Sequence, residues 1–319
     1  MKKWKMLICL LCFIIPLVAG SKLKIKPHMP FDVEAYEANK IDYVNYYLGM
    51  SNWEQLRDYG DQIKKVAITE FNVEFPFFFE GGLKDIEPHK KFASVAYDQF
   101  VAELAAITGW EFIPYEEVMA TQAYKDLHHM EADFMTGPHN FIDMSAHYKN
   151  TLIVPAHGMK ITSAVRRSNY GDRQAEDFMK LNWPIEPRIL GDTGADAIIK
   201  VHLQVRLEQT HSKEKGLKNK KCVVIPDHLP GVDRPQYITL AFGPTPQGFT
   251  KVVNTEIKRD KKDKDRNNIM ANVAINNYGR REEYYGQKSE FFQAGFSFCL
   301  KYYTDMYGTL VNSIMGLKK

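Results

Sequence analysis

The stretch Lys64–Phe75, KKVAITEFNVEF, limits the fold more than any other part of the chain. Val66, Ala67, Ile68, Phe71, Val73 and Phe75 give it the β-branched and aromatic content that suits a pleated strand. The apolar phase slips between Ile68 and Phe71, because strict alternation would need an apolar residue where Glu70 stands. The pattern predicts a first half buried on both faces, a second half with one wet face, and a bulge joining them. A helix follows. Pro88 suits its first turn, Phe92, Val95, Ala96, Phe100, Leu104 and Ile107 recur at helical spacing, and Gly109 supplies the stop. A strand feeding such a helix predicts the opening of an α/β layer.

The second landmark is Ala197–Leu207, where Ala197, Ile199, Val201, Leu203, Val205 and Leu207 alternate with Ile198, Lys200, His202, Gln204 and Arg206. This long period of two predicts a strand with one dry and one wet face. Lysine-rich 212–221 leads on to Cys222–Ile225, and Tyr237–Phe242 turns through two prolines into Thr250–Ile257, so two antiparallel hairpins are expected. Phe292, Phe296, Cys299, Tyr303, Met306, Leu310 and Ile314 mark a long amphipathic C-terminal helix. Between the landmarks, Trp110–Pro114 reads as a short strand and Tyr115–Leu127 as a helix with Val118, Ala123, Tyr124 and Leu127 inward. Thr151–Val154 reads as a strand and Asp172–Trp183 as a helix. Ahead of them, helical periodicity runs from Asp32 to about Leu56 with a break near Gly49 or Ser51. The expected class is α/β (α+β), a mixed β-sheet flanked by helices. The expected organisation is a signal peptide over 1–20, a helical prelude over 21–63 and a single α/β domain over 64–319.

The targeting expectation comes from Lys2, Lys3 and Lys5, followed by an apolar run from Met6 to Ala19 that ends in Val-Ala-Gly. A charged n-region, a short apolar core and small residues describe a secretory signal, cleaved after Gly20. About 20 apolar residues are needed to span a bilayer, and this run falls short. Ser21, and no cysteine, follows the small residues, so lipid anchoring is not expected. Removing the segment lowers lysine plus arginine from 42 to 39, equal to the aspartate plus glutamate count of 39. A formally neutral chain makes no electrostatic case for nucleic acid. Cys222 and Cys299 remain. They are able to pair in an oxidising compartment, though two cysteines are no disulfide framework. The chain is expected in the periplasm or outside the cell.

Chemistry is harder to find. His128, His129, Glu131, Asp133, His139, Asp143 and His147 crowd one stretch without a clear period, and imidazoles with carboxylates are what a divalent ion needs. His129, Glu131, His139 and His147 form the candidate zinc set, which would serve a secreted metal-dependent hydrolase. Their spacing matches no His-Glu-x-x-His pattern, and a polar surface loop is the favoured account of them. His157-Gly158, after a short strand, places a histidine on a strand-end loop where α/β sheets carry their sites. Gly191-Asp192-Thr193-Gly194 lacks the Gly-Lys-Ser/Thr ending of a phosphate loop and is expected to be a tight turn. No Gly-x-Ser-x-Gly elbow occurs.

The order of strand, helix, Gly-Trp-Glu-Phe-Ile-Pro strand, helix, then Gly194-Ala195-Asp196 before antiparallel strands is similar to the periplasmic α/β domain of curli-secretion-channel (CsgG-like) proteins and to the amino-terminal domain of TolB. Val66-Ala67-Ile68-Thr69-Glu70-Phe71 and Gly194-Ala195-Asp196 carry the likeness, over about residues 64–209. The lipid-attachment cysteine of that family and a convincing pair of membrane-spanning hairpins are missing, which argues against a secretion pore. The resemblance implies a non-enzymatic assembly or interaction component of the cell envelope. Its expected partners are other envelope proteins or further copies of this chain. Peripheral membrane contact through Phe77–Phe79 or the last helix is a further reading, and packing inside the fold is the favoured account of both.

Overall fold

A computed structural model describes residues 33–76, 87–129, 151–162, 181–211, 220–226, 237–245, 248–254 and 289–317. Its elements are α1 (Val33–Ala38), α2 (Lys40–Tyr47), α3 (Trp53–Tyr59), β1 (Lys65–Pro76), α4 (Glu87–Thr108), β2 (Glu111–Phe112), α5 (Tyr115–Ala120) and α6 (Gln122–Lys125). They continue with β3 (Thr151–Pro155), α7 (Glu186–Thr193), β4 (Ala197–His211), β5 (Lys220–Pro226), β6 (Tyr237–Thr245), β7 (Gly248–Asn254) and α8 (Ser289–Gly316).

The strands form one mixed sheet in the order β2-β1-β4-β6-β7, with β3 on β1 and β5 on β4. β1 runs parallel to β2 and β4, and the remaining pairings are antiparallel. The class is therefore the expected mixed α/β one, including the two C-terminal hairpins and the long last helix. The phase slip in β1 is a real irregularity. Ile68 faces Ile199 and Glu70 faces Lys200, so Thr69 is the extra residue of a bulge.

One face of the sheet presents Val66, Ile68, Phe71, Val73, Ala197, Ile199, Val201, Leu203, Ile238 and Leu240, all buried in the main core. Helices α4 and α8 pack together over it, joined by α2 and α3. The sequence predicts a single break in the helical stretch ahead of β1, whereas there are two. Asn39 leaves helical geometry at φ −139°, ψ 38°, and Leu48 is extended. Tyr36, Tyr43, Val44 and Leu56 of these short helices enter the same core. The Tyr36 hydroxyl donates to Asp305 of α8, and Lys40 lies 3.0 Å from the same carboxylate.

Contact between α4 and α8 depends on a missing side chain. A Cβ at Gly308 would come within 2.7 Å of Ile107 Cγ2 and 3.1 Å of its Cβ, atoms too near the backbone to swing away. Around this approach, Asn312 donates to the Ile107 carbonyl at 2.8 Å, and Gln99 donates to the Ser297 carbonyl at 2.8 Å. We expect Gly308→Val to cost about 2 kcal/mol by overpacking, read as a lower urea midpoint with an unchanged slope. A cost near zero would mean the two helices separate freely.

Glu103, half-buried in the same seam, has its carboxyl pushed above the ordinary range by desolvation, against a hydrogen bond from Gln99 and the charge of Lys301. A raised acid binds more protons folded than unfolded, so stability falls as pH rises through the interval between the two values. Glu103→Gln should therefore raise the melting temperature slightly at pH 7, with the gain vanishing near pH 4. A gain that persists at pH 4 would contradict this assignment.

The second face begins apolar. Ala67 and Ile198 pack with Val118, Ala123, Tyr124, Leu127 and Ile189 from α5, α6, their exit and α7. The single helix expected over Tyr115–Leu127 divides at Thr121, which turns extended and accepts the Tyr124 amide on its hydroxyl, capping α6. Gly191–Thr193, expected in a tight turn, are instead the last turn of α7, and only Gly194 leaves the helix. Asp192 accepts the Ala123 amide, Thr193 donates to the Ile189 carbonyl, and Gly194 stands at φ +68°, a left-handed position that favours glycine. Asp196 then accepts the Lys64 and Lys65 amides at 2.9 and 2.8 Å. This is the physical role of the Gly-Ala-Asp sequence: its carboxylate holds the start of β1 in register with β4.

Candidate functional site

Beyond Ala67 and Ile198 the second face turns polar. The alternation that places Ile198 there also places Lys200 and His202, and the bulge at Thr69 brings Glu70 and Asn72 beside them in register. A wet face was expected here in both strands, and the structure corrects that. Glu70 is 0 % exposed, Asn72 0 %, Lys200 3 % and His202 1 %. The burial arises because the segment around Thr162, Asn182 and α7 folds back over the strands, which the local pattern of either strand does not encode.

Partners explain how charge is tolerated there, since a buried charge needs pairing. Lys200 Nζ donates to Glu186 Oε1 at the start of α7. Asn72 Nδ2 donates to Glu70 Oε1, and Thr162 Oγ1 donates to Glu70 Oε2 at 2.6 Å. Beside them the buried Asn182 accepts the His128 amide and donates to the His128 carbonyl, both at 2.7 Å. Among the described residues, Asn72 Oδ1 and Glu186 Oε2 in this layer receive no hydrogen bond. An unmet buried acceptor costs on the order of 1–3 kcal/mol.

The layer lies on the parallel pair β1 and β4, within their paired stretch and not at the ends of the strands. It joins two carboxylates, an ammonium, an imidazole, an amide and a hydroxyl from four separate parts of the chain. Chemically, such a set binds a polar or charged group by hydrogen bonds and charge. Outside it, Asp126 at the end of α6 is held below the usual carboxylate range, first by Gln122 and then by Arg188 of α7 at 2.9 Å.

His157, the strand-end histidine singled out by the sequence, is described in full. Its ring stacks on Tyr115 at 4.0 Å, meets Tyr97 edge-on at 5.0 Å, and bonds Asp98 through Nε2 at 3.0 Å. Its backbone takes a left-handed φ of 50°, and its amide donates to Ser94 Oγ. Ser94, Asp98 and His157 thus sit together, but the serine hydroxyl meets the histidine's backbone and not its ring. The grouping docks the loop after β3 onto α4 and α5.

Of the proposed zinc set, His129 is described: its Nδ1 lies 3.2 Å from the Leu127 carbonyl oxygen. Glu131, His139 and His147 lie outside the described residues, as do Phe77–Phe79 and most of the helix expected over Asp172–Trp183. Among the described residues no group of three or more His, Cys, Asp or Glu side chains is placed to hold a metal ion. Nor, among them, is any helix long and apolar enough to cross a membrane.

Sequence reasoning did not single out Glu70, Lys200, His202 or Glu186 as a group. The signals for the first three were present, as the phase break in β1 and the polar alternates of β4. Glu186 carries no local signal.

Fold and site together define a mixed α/β protein with a charged layer buried on one sheet face. No known protein family, no characterised protein and no solved structure matches the chain.

Proposed function

We propose that this chain is an exported component of the bacterial cell envelope that works by interaction or assembly and not by turnover. The observation that supports the reading best is the use made of the reactive side chains. Lys200 is paired to Glu186, Glu70 is held by Asn72 and Thr162, and the His157 ring is engaged by Asp98. The Lys200–Glu186, Thr162–Glu70 and His157–Asp98 contacts each tie separate parts of the chain together, which suits a body that must keep its surface shape. The amino-terminal charge and apolar pattern support export, and the CsgG-like and TolB-like sequence pattern points the same way.

The deciding experiment recovers the untagged protein from its native envelope under mild extraction and measures the mass and composition of what comes with it. A complex heavier than the 36.8 kDa chain, made of several copies or of other envelope proteins, is the expected result. A lone chain carrying stoichiometric zinc that is lost in His129→Ala would replace this reading with the metal-dependent hydrolase. Peripheral membrane contact is checked on the mature protein by flotation with liposomes, and failure to float removes it.

A further inference from the structure

Lys200 and Glu186 bring a lysine nitrogen and a carboxylate into contact out of reach of water. Both are buried, and Lys200 Nζ donates to Glu186 Oε1. Lys200 is fixed from both sides, since β4 pairs at this residue with Glu70 of β1 and with Thr239 of β6. Glu186 is fixed through α7, where Ile189 is buried, Asp192 accepts the Ala123 amide and Arg188 bonds Asp126. Ahead of that helix, Trp183 packs on Phe249 with ring centres 5.0 Å apart. A second buried carboxylate, Glu70, stands opposite Lys200 on the neighbouring strand, held by Asn72 and Thr162. Reacting groups held in contact in this way gain the rate advantage of an intramolecular reaction.

We propose that Lys200 and Glu186 condense to an amide, an intramolecular isopeptide bond tying α7 to β4, with Glu70 relaying the proton. The ion pair is the precursor, carried by the freshly folded chain. One proton passes from the ammonium to the Glu186 carboxylate, which leaves an amine and a carboxylic acid and removes two charges from a buried layer. The Nζ lone pair then attacks Cδ of Glu186, an N–C bond forms and a C–O bond breaks. Glu70 takes the proton from the nitrogen and gives it to the departing hydroxyl, which leaves as water. The atoms balance with the loss of one water and no change of oxidation state. The product is neutral, so the cost of burying two charges disappears. Expelling one oxygen also ends the need for a donor at Oε2, which receives none among the described residues. Burial then keeps bulk water from reversing the step. Such a brace does not depend on what the protein docks to, and its test needs only the folded chain.

The test is the intact mass of the full chain, purified, held folded until the mass is constant, and then denatured. Wild type is expected to weigh one water less than its residues sum to, while Lys200→Met/Glu186→Leu keeps its full mass. Trypsin should release a branched species with two amino termini, Leu181 and Ile189, joined through Glu186 and Lys200 and uncut after Lys200. Glu70→Gln is expected to slow the mass loss at least about tenfold, while its amides over 186–193 exchange hydrogen as in wild type. A wild-type chain that keeps its full mass, or a lost water that maps to any other pair of residues, overturns the proposal. An unchanged rate in Glu70→Gln overturns the relay. Should Glu70→Gln fail to fold, Thr162→Val, which removes one of the donors holding Glu70, takes its place with the same expected slowing and the same overturning result.

Discussion

Lys200→Met alone should destabilise this protein by about 3–5 kcal/mol, because it strands the Glu186 carboxylate in a buried layer with neither oxygen paired. That is a large share of the roughly 5–15 kcal/mol by which a domain is stable. Lys200→Met/Glu186→Leu should recover most of the loss, since an apolar pair of similar volume removes both the charge and its desolvation cost. The effect lies in the burial of both partners, 3 % and 1 % exposed, and not in the strength of the pair itself. Urea denaturation of the three proteins decides it. A single variant within about 1 kcal/mol of wild type would mean that Glu186 turns out to solvent when its partner is lost, as an exposed pair would allow.

The second large effect belongs to the opposite face of the sheet, on the adjacent strand β1. Phe71 is fully buried, with its ring 5.5 Å from Tyr97 and 5.6 Å from Phe100, so it joins β1 to α4. Phe71→Ala should cost about 3–5 kcal/mol, from lost transfer energy and the cavity left behind. Phe71→Leu keeps most of the volume and should cost under about 1.5 kcal/mol. Both are read from the urea midpoint. Similar costs for the two variants would show that the site collapses around the smaller side chain and that Phe71 does not hold α4 to the sheet.

These two substitutions, on adjacent strands but opposite faces, mark how much was legible in advance. The dry face was. Val66, Ile68, Phe71 and Val73 against Ala197, Ile199, Val201 and Leu203 form one core because alternation sets the faces and the bulge corrects the phase. The stripe on α4 and the hairpins were legible for the same reason: each is a local period. The divided helix at Thr121 was not, because Val118, Ala123, Tyr124 and Leu127 fit either account until the cap is seen. The buried polar layer was not legible either. Lys200 and His202 look like a solvated edge when β4 is read by itself. Nothing in β4 tells that Glu186 and Thr162 return over it.

By itself, then, the order of residues determined the main strands and the two long helices, the apolar side of β1 and β4, and where β1 carries its extra residue. Those properties follow from backbone sterics and from burial of apolar surface at short range. The tertiary structure alone decided that Glu70, Asn72, Lys200 and His202 on the other side are also shut away from water. Pairing Lys200 with Glu186 requires α7 to cross the sheet, and that crossing is set by packing of Ile189 and Ala195 against Ala67 and Ile198. A polar side chain has the same pattern in sequence whether water or a carboxylate satisfies it, and only the three-dimensional neighbour distinguishes the two.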